Sequence, residues 1–107
     1  MAAAASEISA SLARCRAIQD QWGLAEDLDC FAAVEAARAN HERAARAAGA
    51  ASTVWEQLTV QQAPEDIAMF GRFTEASRAA LGPAWQVAWE EGRAGTGEVV
   101  LAALAGD

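Results

Sequence analysis

Few side chains could carry chemistry in this 107-residue chain, which has one histidine and two cysteines. His41 followed by Glu42 looks like the start of a zinc-protease helix, but the second histidine of that motif would have to stand at position 45, which is Ala45. One histidine supplies too few ligands for a histidine-based metal site. We therefore expect no metal, and we interpret His41 as a polar residue in the first turn of a helix.

Cys15 and Cys30 are the two candidate nucleophiles. If Gly23 marks a hairpin turn, both cysteines lie at similar heights on two antiparallel helices, and a disulfide is conceivable. The alternative, which we favour, is two buried thiols in a reducing cytoplasm. Nucleophilic catalysis also needs an activating base, and the one histidine has no obvious partner. We predict no catalytic residue and no cofactor; an enzyme that uses either cysteine is the weakest of three hypotheses.

Three acidic groups could be offered as acid/base pairs or cation ligands: Glu26 with Asp27 and Asp29, Glu65 with Asp66, and Glu90 with Glu91. Each group lies at a predicted helix start or on a solvated face, where acidic residues are expected. No glycine-turn calcium loop and no Glu-x-x-His pair accompanies them. The formal net charge of −7 also argues against direct binding of nucleic acid, whose phosphates attract clustered cations.

Aromatic residues form the remaining candidate site, as a wall for a sugar or another small ligand, or as a partner contact. They are Trp55, Phe70, Phe73, Trp85 and Trp89. At helical spacing such rings are core more often than site. Because much of the apolar fraction of 53% is alanine, we expect the four Trp and three Phe to carry most of the core volume. The ligand interpretation requires rings open to a concave pocket with a few convergent polar groups.

Apolar residues at spacings of three and four predict an all-α fold of about five to six helices. The predicted helices are Ser6 to Gly23, Leu24 to Ala39, His41 to Leu58, Pro64 to Leu81, Pro83 to about Gly92, and Gly97 to about Ala105. Glycine and proline set most of these limits, and Thr96 is expected to cap the last helix. We expect Asn40 to take a left-handed conformation after the second helix, with its side chain free to cap the third.

The helices are expected to form one domain of antiparallel hairpins similar to tetratricopeptide repeats, with repeat-like helices in residues 1–58 and closing helices in 64–105. A compact bundle is the alternative, and the sequence leaves both open. Small residues around Gly49 predict that another helix backbone approaches closely there. On the fourth helix, Ile67, Phe70 and Phe73 form a stripe along one side. The short helix with Trp85 and Trp89 is expected to close the array.

Two segments support a family resemblance: AARAAGAA (Ala44 to Ala51) and LGPAWQVAWEEGRA (Leu81 to Ala94). They resemble the end of the helical-repeat region in large bacterial LuxR-type, ATPase-linked transcriptional regulators. The resemblance extends from about Ala17 to Ala105. It implies a helical sensor region, with ATP hydrolysis and DNA binding in other parts of a longer protein. Gly95, Gly97 and Val99 depart from the family pattern, and they are expected to weaken the packing and capping of the last helix.

These observations lead to a non-enzymatic helical module for protein interaction or sensing. Its partner is expected to be a protein, either the rest of a larger regulator or a second copy in a homodimer, because the first helix lacks a preceding repeat to cover it. The alternative is a helical bundle that binds a small ligand with the Trp and Phe cluster. The start MAAAASEIS lacks the features of a signal peptide, and no apolar stretch is long enough for a membrane span, so we expect a soluble cytoplasmic protein.

Overall fold

The computed structural model describes residues 2–58 and 61–105, which form five α-helices. They are α1 (Ala2–Ala37), α2 (His41–Gln57), α3 (Pro64–Leu81), α4 (Pro83–Ala94) and α5 (Gly97–Ala105). The described residues contain no strand, so the predicted all-α class is confirmed. The molecule is elongated, with extents of 60 × 29 × 20 Å, because the 36 residues of α1 make a helix about 54 Å long.

The helix stop predicted at Gly23 is wrong, because α1 continues through this residue without a break. Gly23 is exposed, and no atom lies within 4 Å of the place that an added Cβ would take. Glycine inside a helix costs about 1 kcal/mol relative to alanine. The helix-forming residues on both sides outweigh that cost. The helix also begins at Ala2, ahead of the predicted cap Ser6.

One continuous helix separates the two cysteines. Cys15 and Cys30 lie 15 residues apart on α1, or about 22 Å along its axis, whereas a disulfide needs Cα atoms within about 7 Å. Cys30 is a free and exposed thiol, which corrects the prediction that it is buried. The side chains of Cys15, Ile8 and Leu12 lie outside the described residues.

The turn between α1 and α2 depends on Ala39, which takes the left-handed conformation with a φ of 63°. Asn40, expected in that conformation, has a φ of −88° and makes no side-chain cap. Its amide instead donates a hydrogen bond of 2.6 Å to Glu35 Oε2. Glu35 is 3% exposed, and it also accepts a hydrogen bond of 3.2 Å from Arg43 Nε. The buried carboxylate therefore joins the end of α1 to the start of α2.

Helix α2 is central, since it packs against each of the other four helices. Most of the buried side chains are small: Ala25, Ala32, Ala36, Ala44, Ala45, Ala47, Ala50, Ala51 and Ala88, together with Leu28, Val54 and Leu104. No Trp or Phe is buried among the described residues. The prediction that aromatic rings carry the core volume is thus wrong. Alanine fills the core instead, and Trp55 and Phe31 pack against its edge as partly buried rings.

The close approach predicted at Gly49 is confirmed, and the partner is α4. A Cβ added to Gly49 would lie 2.9 Å from the Trp89 carbonyl carbon, and one added to Gly92 would lie 2.7 Å from that of Arg46. Real Cβ contacts essentially never fall below 3.0 Å. Two glycines therefore allow the backbones of α2 and α4 to touch.

The predicted ends of the later helices are largely confirmed. Gly82 has a φ of 54°, a region that favours glycine, and it ends α3 directly before Pro83 begins α4. Thr96 Oγ1 accepts a hydrogen bond of 3.3 Å from the Val99 backbone N–H, which is the predicted cap of α5. Residues 59–63 lie between two predicted helices. Of these, 61–63 lie outside any helix, and 59 and 60 lie outside the described residues.

Gly97 does not weaken the packing of the last helix, contrary to the expectation from the sequence. It is buried, and an added Cβ would lie 2.8 Å from side-chain atoms of both Leu24 and Val54. The missing side chain therefore lets the start of α5 pack directly on α1 and α2. Further along α5, Leu104 is buried against Ala32 and Ala47.

Helix α3 does not bury the stripe that its sequence predicts. Ile67 is 56% exposed and Phe73 is 53% exposed. The buried residues of α3 are Thr74 and Ser77. These small side chains let one end of α3 approach α2. The apolar stripe of Ile67, Phe70 and Phe73 is therefore left partly or largely exposed. This orientation creates the candidate site.

Candidate functional site

The candidate site is a groove of about 900 Å³ between α2, α3 and α4. On the α2 side, Ala48, Ser52 and Trp55 line it. On the α3 side, Ile67, Phe70, Gly71, Thr74 and Arg78 line it, and α4 contributes Trp85 and Trp89. This volume lies near the upper end of the range of about 300–1,000 Å³ for small-molecule sites.

The groove collects four of the five aromatic residues that the sequence singled out. Trp55, Phe70, Trp85 and Trp89 line it and are partly exposed. Phe73 does not line it; this ring lies outside, with its centroid 6.5 Å from that of Phe70 in an edge-to-face arrangement. Four of the five aromatic rings are thus open to a concave pocket, as the ligand interpretation requires.

At one end of the groove, Asp29 of α1 binds two polar groups. Its Oδ2 accepts a hydrogen bond of 2.8 Å from Trp55 Nε1 and one of 3.0 Å from Gln62 Nε2. Trp22 packs edge-on against Trp55, with ring centroids 5.7 Å apart. Burial raises the pKa of Asp29 above its ordinary value, although the two hydrogen bonds act in the opposite direction. These contacts hold the Trp55 indole in one orientation and fasten the segment before α3 to α1.

At the other end, Arg78 lies over the Trp85 ring, with its guanidinium carbon 5.5 Å from the ring centroid. Its Nη2 donates hydrogen bonds of 2.8 Å to Thr74 Oγ1 and 3.0 Å to the Gly71 carbonyl oxygen. A guanidinium stacked on an indole is attracted to the ring face by its quadrupole. These contacts fix the position of the only arginine that lines the groove in the part of the chain described.

The wall of the groove on α2 also carries an ion pair that is already satisfied. Arg93 donates two hydrogen bonds of 2.9 Å to the two carboxylate oxygens of Glu56. The same guanidinium lies 5.0 Å from the centroid of the Trp89 ring. The hydrogen bond from Arg93 lowers the pKa of Glu56, so this carboxylate stays charged and paired.

Comparison with known proteins finds no matching family model, no similar curated protein and no similar solved structure. The candidate site therefore depends on the geometry of the chain itself.

His41 has a partner that the sequence did not indicate. Its Nδ1 lies 2.7 Å from Ser77 Oγ. A serine beside a histidine is the arrangement of a nucleophile and its base, but Ser77 is 0% exposed, so a substrate has no access to its oxygen. The contact fastens the start of α2 to the end of α3.

Cys30 lines a smaller pocket on the other side of α3, together with Met69 and Asp66. Partial burial raises the pKa of the Cys30 thiol, and nearby carboxylates, Asp29 first, act in the same direction. This environment favours the thiol over the reactive thiolate. Within residues 2–58 and 61–105, no group of three or more acidic, cysteine or histidine side chains is placed to hold a metal ion. The described helices also include none with the length and apolar character to span a membrane.

Sequence reasoning missed the polar residues of the groove, above all Asp29, Thr74 and Arg78. From the sequence, Asp29 looks like its neighbours Glu26 and Asp27, an acidic residue on a solvated helix face. A usable signal was present for Arg78, which lies seven residues before Trp85 across a Gly-Pro turn. Such a turn brings the end of one helix close to the start of the next.

Proposed function

We propose that the chain is a non-enzymatic helical module for interaction and sensing, and that the aromatic groove is its binding site. The observation that supports this is the placement of Trp55, Phe70, Trp85 and Trp89 around an open groove, while alanine fills the core. Large rings left partly exposed around a concavity offer apolar contact area to a ligand at low entropic cost. Polar groups at both ends supply orientation.

The resemblance to the terminal helical-repeat region of LuxR-type regulators supports the same role. In such a regulator this region is a sensor that contacts other parts of the protein, and DNA binding lies elsewhere. As part of this proposal, the helical hairpins are similar to tetratricopeptide repeats. Ala44 to Ala51, which carries the resemblance, contains Gly49 of the helix crossing.

The groove is proposed to bind a small apolar ligand, and the outer side of α3 to contact a protein. Ile67 and Phe73 continue the apolar surface from the groove over α3, and both are more than half exposed. Exposed apolar surface of this kind marks contact sites. A second copy in a homodimer is the proposed partner at α3. Sedimentation of the wild type as a strict monomer at high concentration would contradict this, and Phe73→Ser is expected to weaken the dimer.

The groove is tested with N-phenyl-1-naphthylamine, a neutral dye that fluoresces in apolar surroundings. We expect saturable binding to the wild type, and weaker binding by about tenfold in Phe70→Ala because a lining ring is lost. Phe70→Ala keeps all four indoles, so tryptophan fluorescence reports binding in the same titration.

The matched control is Phe73→Ala, which removes the same side chain from the same helix but outside the groove. It should bind the dye as the wild type does. Absence of saturable binding to the wild type, or equal losses in both variants, would contradict the proposed site.

A further inference from the structure

The groove contains a cation without an anion. Arg38, Arg43, Arg46 and Arg93 each have a carboxylate oxygen within 4.0 Å. Among the described residues, Arg72 and Arg78 have none, although the chain has a formal net charge of −7, and of these two only Arg78 lines the groove. In so acidic a protein, an unpaired arginine beside an aromatic groove is positioned to meet an anion that comes from outside.

Arg78 is also pre-organised. One of its nitrogens, Nη2, is held by Thr74 and Gly71, and the guanidinium carbon lies over the Trp85 ring. Its Nη1 and Nε have no hydrogen-bond partner among the described residues. These two nitrogens lie on different edges of the guanidinium, so a carboxylate accepts a charge-assisted hydrogen bond from one of them. Because the side chain is already fixed, little rotamer entropy is lost on binding.

The acidic groups that line the groove are occupied. Glu56 is bound at both oxygens by Arg93, and Asp29 accepts hydrogen bonds from Trp55 and Gln62. Gln62 lies two residues before Pro64, the first residue of α3, whereas Arg78 lies 14 residues after Pro64, about 21 Å further along the helix. The cation and the acid therefore lie at opposite ends, with Ile67, Phe70 and Gly71 between them on α3.

We infer that the groove binds an amphipathic monoanion, an acyl-chain carboxylate, with its head on Arg78 and its chain along Trp89 and Phe70 toward Trp55. This inference rests on the proposed function of the groove and adds the chemical class of its ligand. Apolar contact supplies the chain affinity. The guanidinium supplies the preference for a negative head, because a carboxylate at this site gains a charge-assisted hydrogen bond and the attraction of a cation that has no carboxylate partner among the described residues.

The test compares three probes with the same chain, namely decanoate, decan-1-ol and decylamine, each below its micellar concentration. Calorimetry and tryptophan fluorescence measure their binding to the full chain. We expect decanoate to bind at least about tenfold more tightly than the other two. Arg78→Gln should abolish that preference and leave the affinity for decan-1-ol unchanged.

Two further variants make the test specific. Arg72→Gln removes an exposed arginine from the same helix outside the groove, so it should keep the preference for decanoate. Arg78→Lys keeps the charge without the guanidinium contacts to Thr74, Gly71 and Trp85 that fix the side chain, and it should keep part of the preference. Far-UV circular dichroism checks that each variant is folded, and since Arg78 is exposed we expect no change.

The outcomes separate this inference from the proposed function. Equal affinities for decanoate and decan-1-ol, a preference for decylamine, or an unchanged preference in Arg78→Gln would overturn the ligand class while the groove remains a binding site. The same holds if the neutral dye binds and none of the three probes does. If neither the dye nor any probe binds, the proposed function fails together with the inference.

Discussion

Helix α2 has two neighbours that it meets in opposite ways. Against α4, Gly49 and Gly92 place no side chain at the points of closest approach, and the backbones touch. Against α3, contact occurs at one end through His41 and Ser77, and the groove separates the two helices further along. The comparison teaches that residue size sets helix spacing here: small residues close an interface, and large rings keep one open.

The two sides differ in charge as well. On the closed side, arginines are paired across the crossing, as in the contact of 3.1 Å between Arg46 Nε and Glu91 Oε2. On the open side, within the described part of the chain, the Arg78 guanidinium contacts an aromatic ring, a hydroxyl and a carbonyl oxygen but no carboxylate. On the closed side, the arginine is already paired with a carboxylate. On the open side, Arg78 still has N–H groups that can donate hydrogen bonds to a ligand.

The largest expected difference is between the packed core and the open groove, in the cost of truncating a side chain. Leu28 of α1 is fully buried in a cluster with Ala50 and Val54 of α2, and Leu28→Ala should lower the free energy of unfolding by about 2–5 kcal/mol. Phe70 lines the open groove, and Phe70→Ala should cost about 1 kcal/mol or less because little packed volume is lost. Urea denaturation followed by circular dichroism measures both. Equal costs would mean that the groove is part of the core.

The second prediction concerns the glycines at the crossing. Gly92→Ala places a methyl group against the Arg46 backbone, which cannot move without displacing α2, so we expect a loss of about 1–3 kcal/mol. Gly49→Ala should lower the free energy of unfolding in the same way, because its methyl group would meet the backbone carbonyl of Trp89.

Gly23→Ala is the matched control for the crossing, since this glycine is helical, exposed and without neighbours. It should stabilise the chain by about 0.4–1 kcal/mol, because alanine restricts the unfolded state more than glycine does. A stabilising Gly92→Ala, or a destabilising Gly23→Ala, measured in the same urea series, would break the distinction between the two positions.

The smallest expected effect is at Asp29, where the raised pKa makes stability depend on pH. The folded state holds the proton more tightly than the unfolded state, so the free energy of unfolding falls as pH rises from 3.8 toward the raised pKa of the folded state. Asp29→Asn keeps an acceptor for Trp55 and Gln62 without a charge. It should equal the wild type at low pH and exceed it at neutral pH.

Urea denaturation across a pH series measures this difference for Asp29→Asn. Asp27→Asn, an exposed change of equal charge on the same helix, is the control and should not reproduce the pH-dependent gain. A variant that is less stable than the wild type at neutral pH would show that the charged form of Asp29 is favoured in the folded state.

Most helix limits could be read from the sequence, because they depend on residues near each end. Pro64 and Pro83 begin helices where their fixed φ is suitable, and Gly82 ends one where only a residue tolerant of positive φ fits. Thr96 caps α5 through its own hydroxyl. Gly23 failed as a stop signal because a single glycine is a small local cost, and the helix that continues on either side outweighs it.

The candidate site could be predicted only in part. The five aromatic residues were recognisable by type and spacing, but their open placement was not, because periodicity shows which residues share a face and not whether a neighbour covers it. Arg78 and Asp29 could not be assigned, since their roles depend on contacts between helices.

The sequence by itself determined the helical class, most helix ends and the close approach at Gly49, since each depends on backbone sterics, capping or side-chain volume at one place. Only the tertiary structure decided that alanine fills the core, that α1 is continuous, and that the rings surround a groove. The physical reason is that burial depends on the distance between helix axes. Many small contacts across the whole fold set that distance together.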